Sequence, residues 1–235
     1  MALWKAGFRT CTPMVKTGLS IPDALCFLAI LLPVIPIIII FLRRSWQQDF
    51  MIFLGMICLL SCMQHLIICI PSLASINITL VNNIFGLGEF VLLLYLFRQV
   101  IPTRWVRELL HTVLIAFSSI AITIYTLRGT DQYAFKLSFT AAFIMLLVAI
   151  VALLQLIRDK QLFIFQSPMF WIAGGNICYF TMFMLTGLVG VQGNGGVALQ
   201  HEKLILLSVI NGIRYMFFIA AAVVAQQKEE KTTVY

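Results

Sequence analysis

Residues 204–225 read LILLSVINGIRYMFFIAAAVVA, an apolar run interrupted near its middle by the cationic side chain of Arg214. About 20 apolar residues in a row are enough to cross a bilayer as a helix. A guanidinium near the membrane midplane costs at least ~2.5 kcal/mol on insertion scales, so it must face protein and have a partner. This segment therefore predicts a membrane helix with a polar inner face.

Glu89 is the acid best placed to be that partner, because it lies deep within a second apolar segment, residues 76–97. At a rise of 1.5 Å per residue, Glu89 lies about 12 Å from the end of its segment, and Arg214 lies about 16 Å from the end at residue 225. The depths match. We therefore expect an ion pair between the third and the seventh membrane helices.

Three asparagines are candidate members of the same polar cluster: Asn211 one turn before Arg214, Asn176 in the sixth segment, and Asn82 in the third. The cluster could be a ligand pocket or a switch whose two states differ in whether the ion pair is closed. It could equally be a structural clamp between helices. Asparagine hydrogen bonds between membrane helices contribute only ~0.6 kcal/mol on average, so the asparagines alone do not indicate function.

The composition predicts an integral membrane protein. Hydrophobic residues make up 61% of the chain and charged residues 11%, and the mean hydropathy is +1.01. Too little polar surface remains to cover a soluble globule. The net charge of +7 is scattered through the loops, which favours lipid headgroups over nucleic acid as the anionic neighbour. A chain of 235 residues holds about seven spanning helices and no sizeable soluble domain.

We accordingly predict an all-α, polytopic bundle of about seven transmembrane helices. An N-terminal arm, residues 1–20, precedes one transmembrane domain, residues 21–225, and a cytoplasmic tail, residues 226–235, follows it. Pro33 and Pro36 should bend the first helix, because each removes a backbone hydrogen bond. The seven predicted helices are residues 21–42, 50–70, 76–97, 109–127, 137–157, 168–189 and 204–225.

Orientation follows from the lysines and arginines of the loops, of which nine lie on one side of the membrane and six on the other. The positive-inside rule then places the C-terminus in the cytoplasm and the N-terminus outside. Without the N-terminal arm the count is nine to three. We expect a multi-pass protein of a bacterial inner membrane.

The second predicted helix carries Cys58, Cys62, His65 and Cys69 at spacings that place all four on one face. Thiolates and an imidazole suit a soft ion such as copper(I) or zinc. One helix can direct only about two of them at one ion, so a second helix would have to contribute. Cysteine also packs well as a small hydrophobe. We predict that these residues pack between helices and that the protein needs no metal or cofactor.

Small residues should allow close approach of helices near the polar cluster. They favour the third, sixth and seventh helices as neighbours. The set consists of Gly86, Gly88, Gly174, Gly175 and Gly212.

Two stretches carry a family resemblance: NIFGLGEFVLLLYLF at residues 83–97 and FIFQSPMFWIAGGNICYF at residues 163–180. With the short charged tail, they resemble uncharacterised seven-helix membrane proteins of Bacteroidota. The matching features are the Glu89-Phe90 pair and the Ser-Pro-x-Phe-Trp segment that ends at Trp171. The resemblance implies a seven-helix fold and a sensory role, and it brings no settled activity.

No phosphate-binding loop, nucleophile elbow or zinc-protease motif occurs, which favours a non-enzymatic protein. The sequence favours a receptor-like or signalling-accessory protein that responds to an apolar or amphipathic small ligand. Lacking an output domain, it would signal through another membrane protein such as a sensor kinase. The alternative is a small transporter or proton-coupled carrier in which Glu89 titrates, although the internal repeats common in transporters are absent.

Overall fold

The computed structural model describes residues 31–42, 48–69, 78–128, 130–158, 164–192 and 197–233, and every regular element within them is helical. No strand occurs in these ranges. The elements are α1 (Val34–Leu42), α2 (Asp49–Cys69), α3 (Ile78–Val100), α4 (Arg104–Arg128), α5 (Thr130–Arg158), a short 3-10 helix (Ile164–Gln166), α6 (Pro168–Gln192) and α7 (Val197–Thr233).

Six of these helices, α2 to α7, are long and apolar enough to cross a membrane. The predicted all-α class is thereby confirmed for the described residues, and six helices have the length and composition that a multi-pass membrane protein requires. The first helix is described only over its last part, because residues 1–30 lie outside the described ranges. The predicted arm at residues 1–20 lies there too, and a seventh span stays a prediction.

The two prolines of the first helix act differently. The chain makes a turn at Leu32 and Pro33, where the amide of Ile35 donates to the Leu32 carbonyl at 3.3 Å, and helix α1 begins immediately afterwards. A turn therefore lies at Pro33, and the predicted bend of the first helix stays a prediction, because residues 1–30 lie outside the described ranges. Pro36 instead lies in the first turn of α1, where a backbone N–H has no partner within the helix, so its missing donor disturbs nothing.

Most of the long helices extend beyond the apolar segments that predicted them, and α4, α5 and α7 extend furthest. Helix α4 begins five residues before its expected start and α5 seven residues before, while α7 continues to Thr233 through most of the predicted tail. Hydrophobicity marks only the part of a helix that lies in lipid, whereas backbone hydrogen bonding continues into the interface. In α4 the added turn carries an i,i+4 ion pair between Arg104 and Glu108, which supports helix there.

The helices form a ring in the order α1, α2, α3, α5, α6 and α7, which closes through contacts between α7 and α1. Helix α4 packs outside this ring, against α3 and α5. The most extensive interface is that of α6 with α7, whereas α3 packs mainly on α2, α4 and α5. The expected neighbourhood of the third, sixth and seventh helices therefore holds for α6 and α7, and α3 reaches α7 through long side chains across the ring.

Candidate intramembrane site

Arg214 of α7 lies at the centre of the ring with only 1% of its side chain exposed, and its Nη1 forms an ion pair with Oε1 of Glu89 on α3. The Glu89 side chain is 20% exposed as a whole, although the Oε1 that contacts Arg214 is buried. The ion pair expected from equal depth is present. Within a low-dielectric interior, such a pair is retained only if the geometry and further hydrogen bonds offset the loss of hydration.

Asn176 of α6 provides one of those further bonds. Its Oδ1 accepts from Arg214 Nε at 3.1 Å, and its own amide donates to the Ile172 carbonyl one turn earlier at 2.8 Å. Asn176 is fully buried. Because one side of the amide donates to the backbone, the other side is held as an acceptor that faces the guanidinium. Asn176 thus orients Arg214 and joins α6 to α7.

Three aromatic rings surround the guanidinium. Its Cζ lies 4.5 Å from the ring centroid of Tyr179, 5.0 Å from that of Phe218 and 5.7 Å from that of Phe180. A cation over aromatic faces at these distances is stabilised by their quadrupoles, and the effect grows when water is excluded. Sequence reasoning missed this cage. The available signal was spacing, since Tyr179 and Phe218 follow Asn176 and Arg214 by one helical turn.

A second polar contact extends the cluster to α2. Tyr215, which is 1% exposed, shares a side-chain hydrogen bond with Ser61. Cys58, one turn before Ser61 on the same helix, is fully buried and lies within electrostatic range of both Glu89 and Arg214. The cluster therefore draws side chains from α2, α3, α6 and α7 and connects opposite sides of the ring.

One donor of the cluster is unpaired. Arg214 Nη2 is buried and has no hydrogen-bond acceptor in the described part of the chain. An unsatisfied buried donor costs about 1–3 kcal/mol, more when charged, and aromatic faces are only weak acceptors. The cation is accordingly held by one carboxylate, one amide and three rings, with one donor left for another acceptor.

Two of the predicted cluster residues lie elsewhere. Asn82 accepts a hydrogen bond from Gln64 of α2 at 2.9 Å, and it precedes Glu89 by seven residues, which is about 10 Å along the helix. Asn82 therefore pairs with α2 at a different depth from the ion pair, and its part in a ligand site or switch stays a prediction. Asn211 is half-buried on α7, and no hydrogen bond among the described residues involves it. It stands one turn from Arg214 without joining the cluster.

The cysteine face of α2 packs as two buried thiols, Cys58 and Cys62. His65 is turned to the backbone, with Nδ1 2.7 Å from the Ser61 carbonyl oxygen. The Cys69 side chain lies outside the described residues, and Cys178 of α6 is exposed. Within the described ranges, no three metal-binding side chains come together.

The glycines divide between two roles. A Cβ on Gly175 would lie 2.7 Å from the Phe217 Cβ, and one on Gly174 would lie 3.2 Å from the Phe217 ring, so both permit the close packing of α6 on α7. Gly88 faces Leu60 of α2, and Gly86 faces open space. The inference that the α3 glycines draw α3 toward α6 and α7 was wrong, because a glycine allows close approach without choosing the neighbour.

The Ser-Pro-x-Phe-Trp segment begins α6 and anchors it. The Phe170 amide donates to the Ser167 carbonyl at 3.0 Å, and the Trp171 indole donates to the Phe165 carbonyl at 2.8 Å. The Trp171 ring also lies 5.8 Å from that of Phe217 on α7. This segment therefore fixes the start of α6 a little over two turns before Asn176.

The chain matches no protein-family model, no curated protein sequence and no solved structure. The resemblance to seven-helix membrane proteins of Bacteroidota stays a prediction. What the site can do follows from its own geometry, which is a buried cation and a partly accessible anion held on different helices.

Proposed function

We propose that this protein is a non-enzymatic, receptor-like or signalling-accessory membrane protein in which the Glu89–Arg214 contact is the bistable element. The proposal rests on the position of this ion pair between two helices. It links α3 to α7, two helices that share little direct packing across the ring. Opening the pair would separate them without disrupting an extensive apolar interface.

The incomplete hydrogen bonding of Arg214 in the closed ion pair also favours a switch. Arg214 retains a buried donor without an acceptor among the described residues, so the closed arrangement is not fully satisfied. Such a deficit reduces the free-energy gap to an alternative in which the donor finds a partner. A clamp that served stability alone would gain from having every donor paired.

The chemistry of the cage suggests the ligand class. An amphipathic small molecule with an acidic group could bind Arg214 in place of the Glu89 carboxylate. The rings of Tyr179, Phe180 and Phe218 would then contact its apolar part. A ligand shifts an equilibrium between two states only if it binds one of them more tightly. Here the ligand would bind the open state, because only there is Arg214 free of the Glu89 carboxylate.

The output would pass to another membrane protein, for which a sensor kinase is one example. Helices with membrane-spanning composition account for most of the described chain, so a change in the ring would be transmitted laterally to a partner in the bilayer. We place the protein in a bacterial inner membrane, with the C-terminal end of α7 on the cytoplasmic side, as the loop charges predict.

A distance measurement between α3 and α7 tests the switch. Spin labels would be attached at the lipid-facing positions Ile84 and Met216, which are 58% and 59% exposed, through non-cysteine chemistry that leaves the native thiols intact. Replacing Glu89 with Gln should move the distance distribution to longer values, because a neutral amide holds the guanidinium less strongly. An unchanged distribution accompanied by lower stability would identify a clamp instead.

The matched control is Glu108→Gln, which also removes a carboxylate from an ion pair with arginine. That pair is exposed on α4, where its partner Arg104 is 87% exposed, so its loss should leave the α3–α7 distance unchanged.

A proton-coupled carrier is the second candidate, and the partial exposure of Glu89 favours it. A titrating carboxylate must exchange protons with water, which a fully buried one cannot do. In proteoliposomes that contain a pH-sensitive dye and are placed under an inward proton gradient, a carrier would acidify the lumen in a manner abolished by Glu89→Gln and retained in Glu108→Gln. Proton flux of that kind would replace the receptor proposal, and its absence would support it.

A further inference from the structure

A second charged site lies where α3 ends and α4 begins, far from the central cluster along the helix axis. A surface cavity of about 400 Å³ is lined there by Arg98, Gln99, Arg104, Arg107 and Glu108. Three guanidinium groups face one carboxylate, so the lining carries a net charge of +2. The volume falls within the range of roughly 300–1,000 Å³ that small-ligand sites occupy.

The positive charge of this cavity is only partly compensated. Glu108 pairs with Arg104, with 3.0 Å between Oε1 and Nε. Arg98 lies beside the Tyr95 ring, 5.9 Å from its centroid, and its Nε is buried with no hydrogen-bond acceptor in the described ranges. The Arg98 Nε donor next to this cationic cavity would be satisfied by a bound anion, which would also balance the positive charge.

The surroundings of the cavity indicate the source of that anion. Trp105 is 67% exposed beside the cavity, and exposed indoles at helix ends are typical of the membrane–water interface. The end of α5 approaches the same place, because Gln155 donates to the Thr103 hydroxyl at 3.4 Å. The cavity thus lies at headgroup level, where phospholipid phosphates are abundant.

We propose that this cavity, between the end of α3 and the start of α4, is a binding site for a phosphate group, supplied by an anionic phospholipid headgroup. Arginine matches the geometry of phosphate oxygens through paired N–H donors. Arg98 and Arg107 contribute the uncompensated charge, and Arg104 is held in place by Glu108. An inorganic phosphate ion presents the same chemistry, and the experiment separates the two sources.

Native mass spectrometry of the full chain in detergent tests the site with three probes: phosphatidic acid, phosphatidylcholine and inorganic phosphate. Phosphatidic acid should bind more tightly than phosphatidylcholine. A variant with Arg98, Arg104 and Arg107 all replaced by Gln should bind phosphatidic acid at least about tenfold more weakly, since it loses several charge-assisted contacts. If the triple variant fails to fold, the single variant Arg107→Gln, at an exposed position, serves as the test. Its affinity for phosphatidic acid should fall by less than that of the triple variant.

The control is Arg158→Gln, which removes the same charge from the exposed end of α5, near the cavity but from a residue that does not line it. Its affinity for phosphatidic acid should stay within about twofold of the unchanged protein, as expected for a screened surface charge. Equal losses in Arg158→Gln and Arg107→Gln would overturn the site in favour of general surface attraction. Inorganic phosphate that binds as tightly as the lipid, with the same arginine dependence, would overturn the headgroup as the source.

Discussion

Arg214 is the residue whose requirements explain the most about its neighbours. A cation that is 1% exposed must receive its stabilisation from protein, and here it does so from one carboxylate, one amide oxygen and three rings. None of these alone offsets the loss of hydration. Their combination explains why residues from α3, α6 and α7 converge on one point.

Asn176→Leu should be markedly destabilising. Leucine has a similar size but leaves Arg214 Nε without its acceptor, so the free energy of unfolding should fall by about 1–3 kcal/mol. Asn211→Leu is the control on the neighbouring turn of α7, where the side chain makes no described hydrogen bond, and it should change stability by less than about 0.5 kcal/mol. Titration with a denaturing detergent measures both. Equal effects at the two sites would show that Asn176 does not support the cation.

At this scale the sequence predicted the charged pair and Asn176 because rarity is informative: few ionisable or amide side chains occur within apolar runs. The aromatic cage was not predictable in the same way. Phe and Tyr are ordinary in membrane helices, and only the relative rotation of α6 and α7 selects Tyr179, Phe180 and Phe218 from the other rings. Asn82 lies about 10 Å along α3 from Glu89, and its polarity alone did not indicate that it would pair with Gln64 of α2.

At the scale of the elements, the packing of α6 on α7 decides where Arg214 and Asn176 meet. Phe217 fills the space above Gly174 and Gly175, and the Arg214 carbonyl oxygen would lie 3.5 Å from a Cβ on Gly175. The hydrogen bond between Arg214 and Asn176 therefore depends on a contact that only glycine permits. Hydropathy located both helices, but it carries no information on which faces meet.

Gly175→Ala should force α7 away from α6 and lower the free energy of unfolding by about 1–3 kcal/mol, the usual cost of overpacking. Gly86→Ala in α3 is the matched control, since nothing lies within 4 Å of the added methyl group. It should be neutral or stabilising by up to about 1 kcal/mol, because alanine favours helix over glycine. Thermal unfolding in detergent compares the two, and a harmless Gly175→Ala would refute the close packing.

At the scale of the whole molecule, the ring places a polar centre inside an apolar shell and leaves basic residues at one end. The all-α class and the positions of the six long apolar helices were predictable because hydrophobic length is set by bilayer thickness. The order of helices around the ring was not, since apolar helices of similar composition can pack in many orders. Helix α4 lies outside the ring although its hydropathy equals that of α3 and α7, which are members of the ring.

The orientation predicted from loop charge can be tested with two cysteine substitutions at opposite ends of the bundle. Gln99, at the α3–α4 connection, should be on the cytoplasmic side, and Leu127, near the end of α4, should be outside. In right-side-out vesicles, a membrane-impermeant maleimide should label Leu127→Cys at once and Gln99→Cys only after permeabilisation. The reverse order of labelling would invert the orientation.

The central claim is that the Glu89 carboxylate and the Arg214 guanidinium stabilise the bundle as a pair. Thermal unfolding in detergent of Glu89→Arg, Arg214→Glu and the doubly reversed protein tests it most directly. Each single reversal should lower the midpoint, because it buries two like charges. The double reversal should regain part of the loss, and only part, since the rings around position 214 favour a cation over a carboxylate. A doubly reversed protein that is as unstable as the sum of the two single losses would contradict the pair.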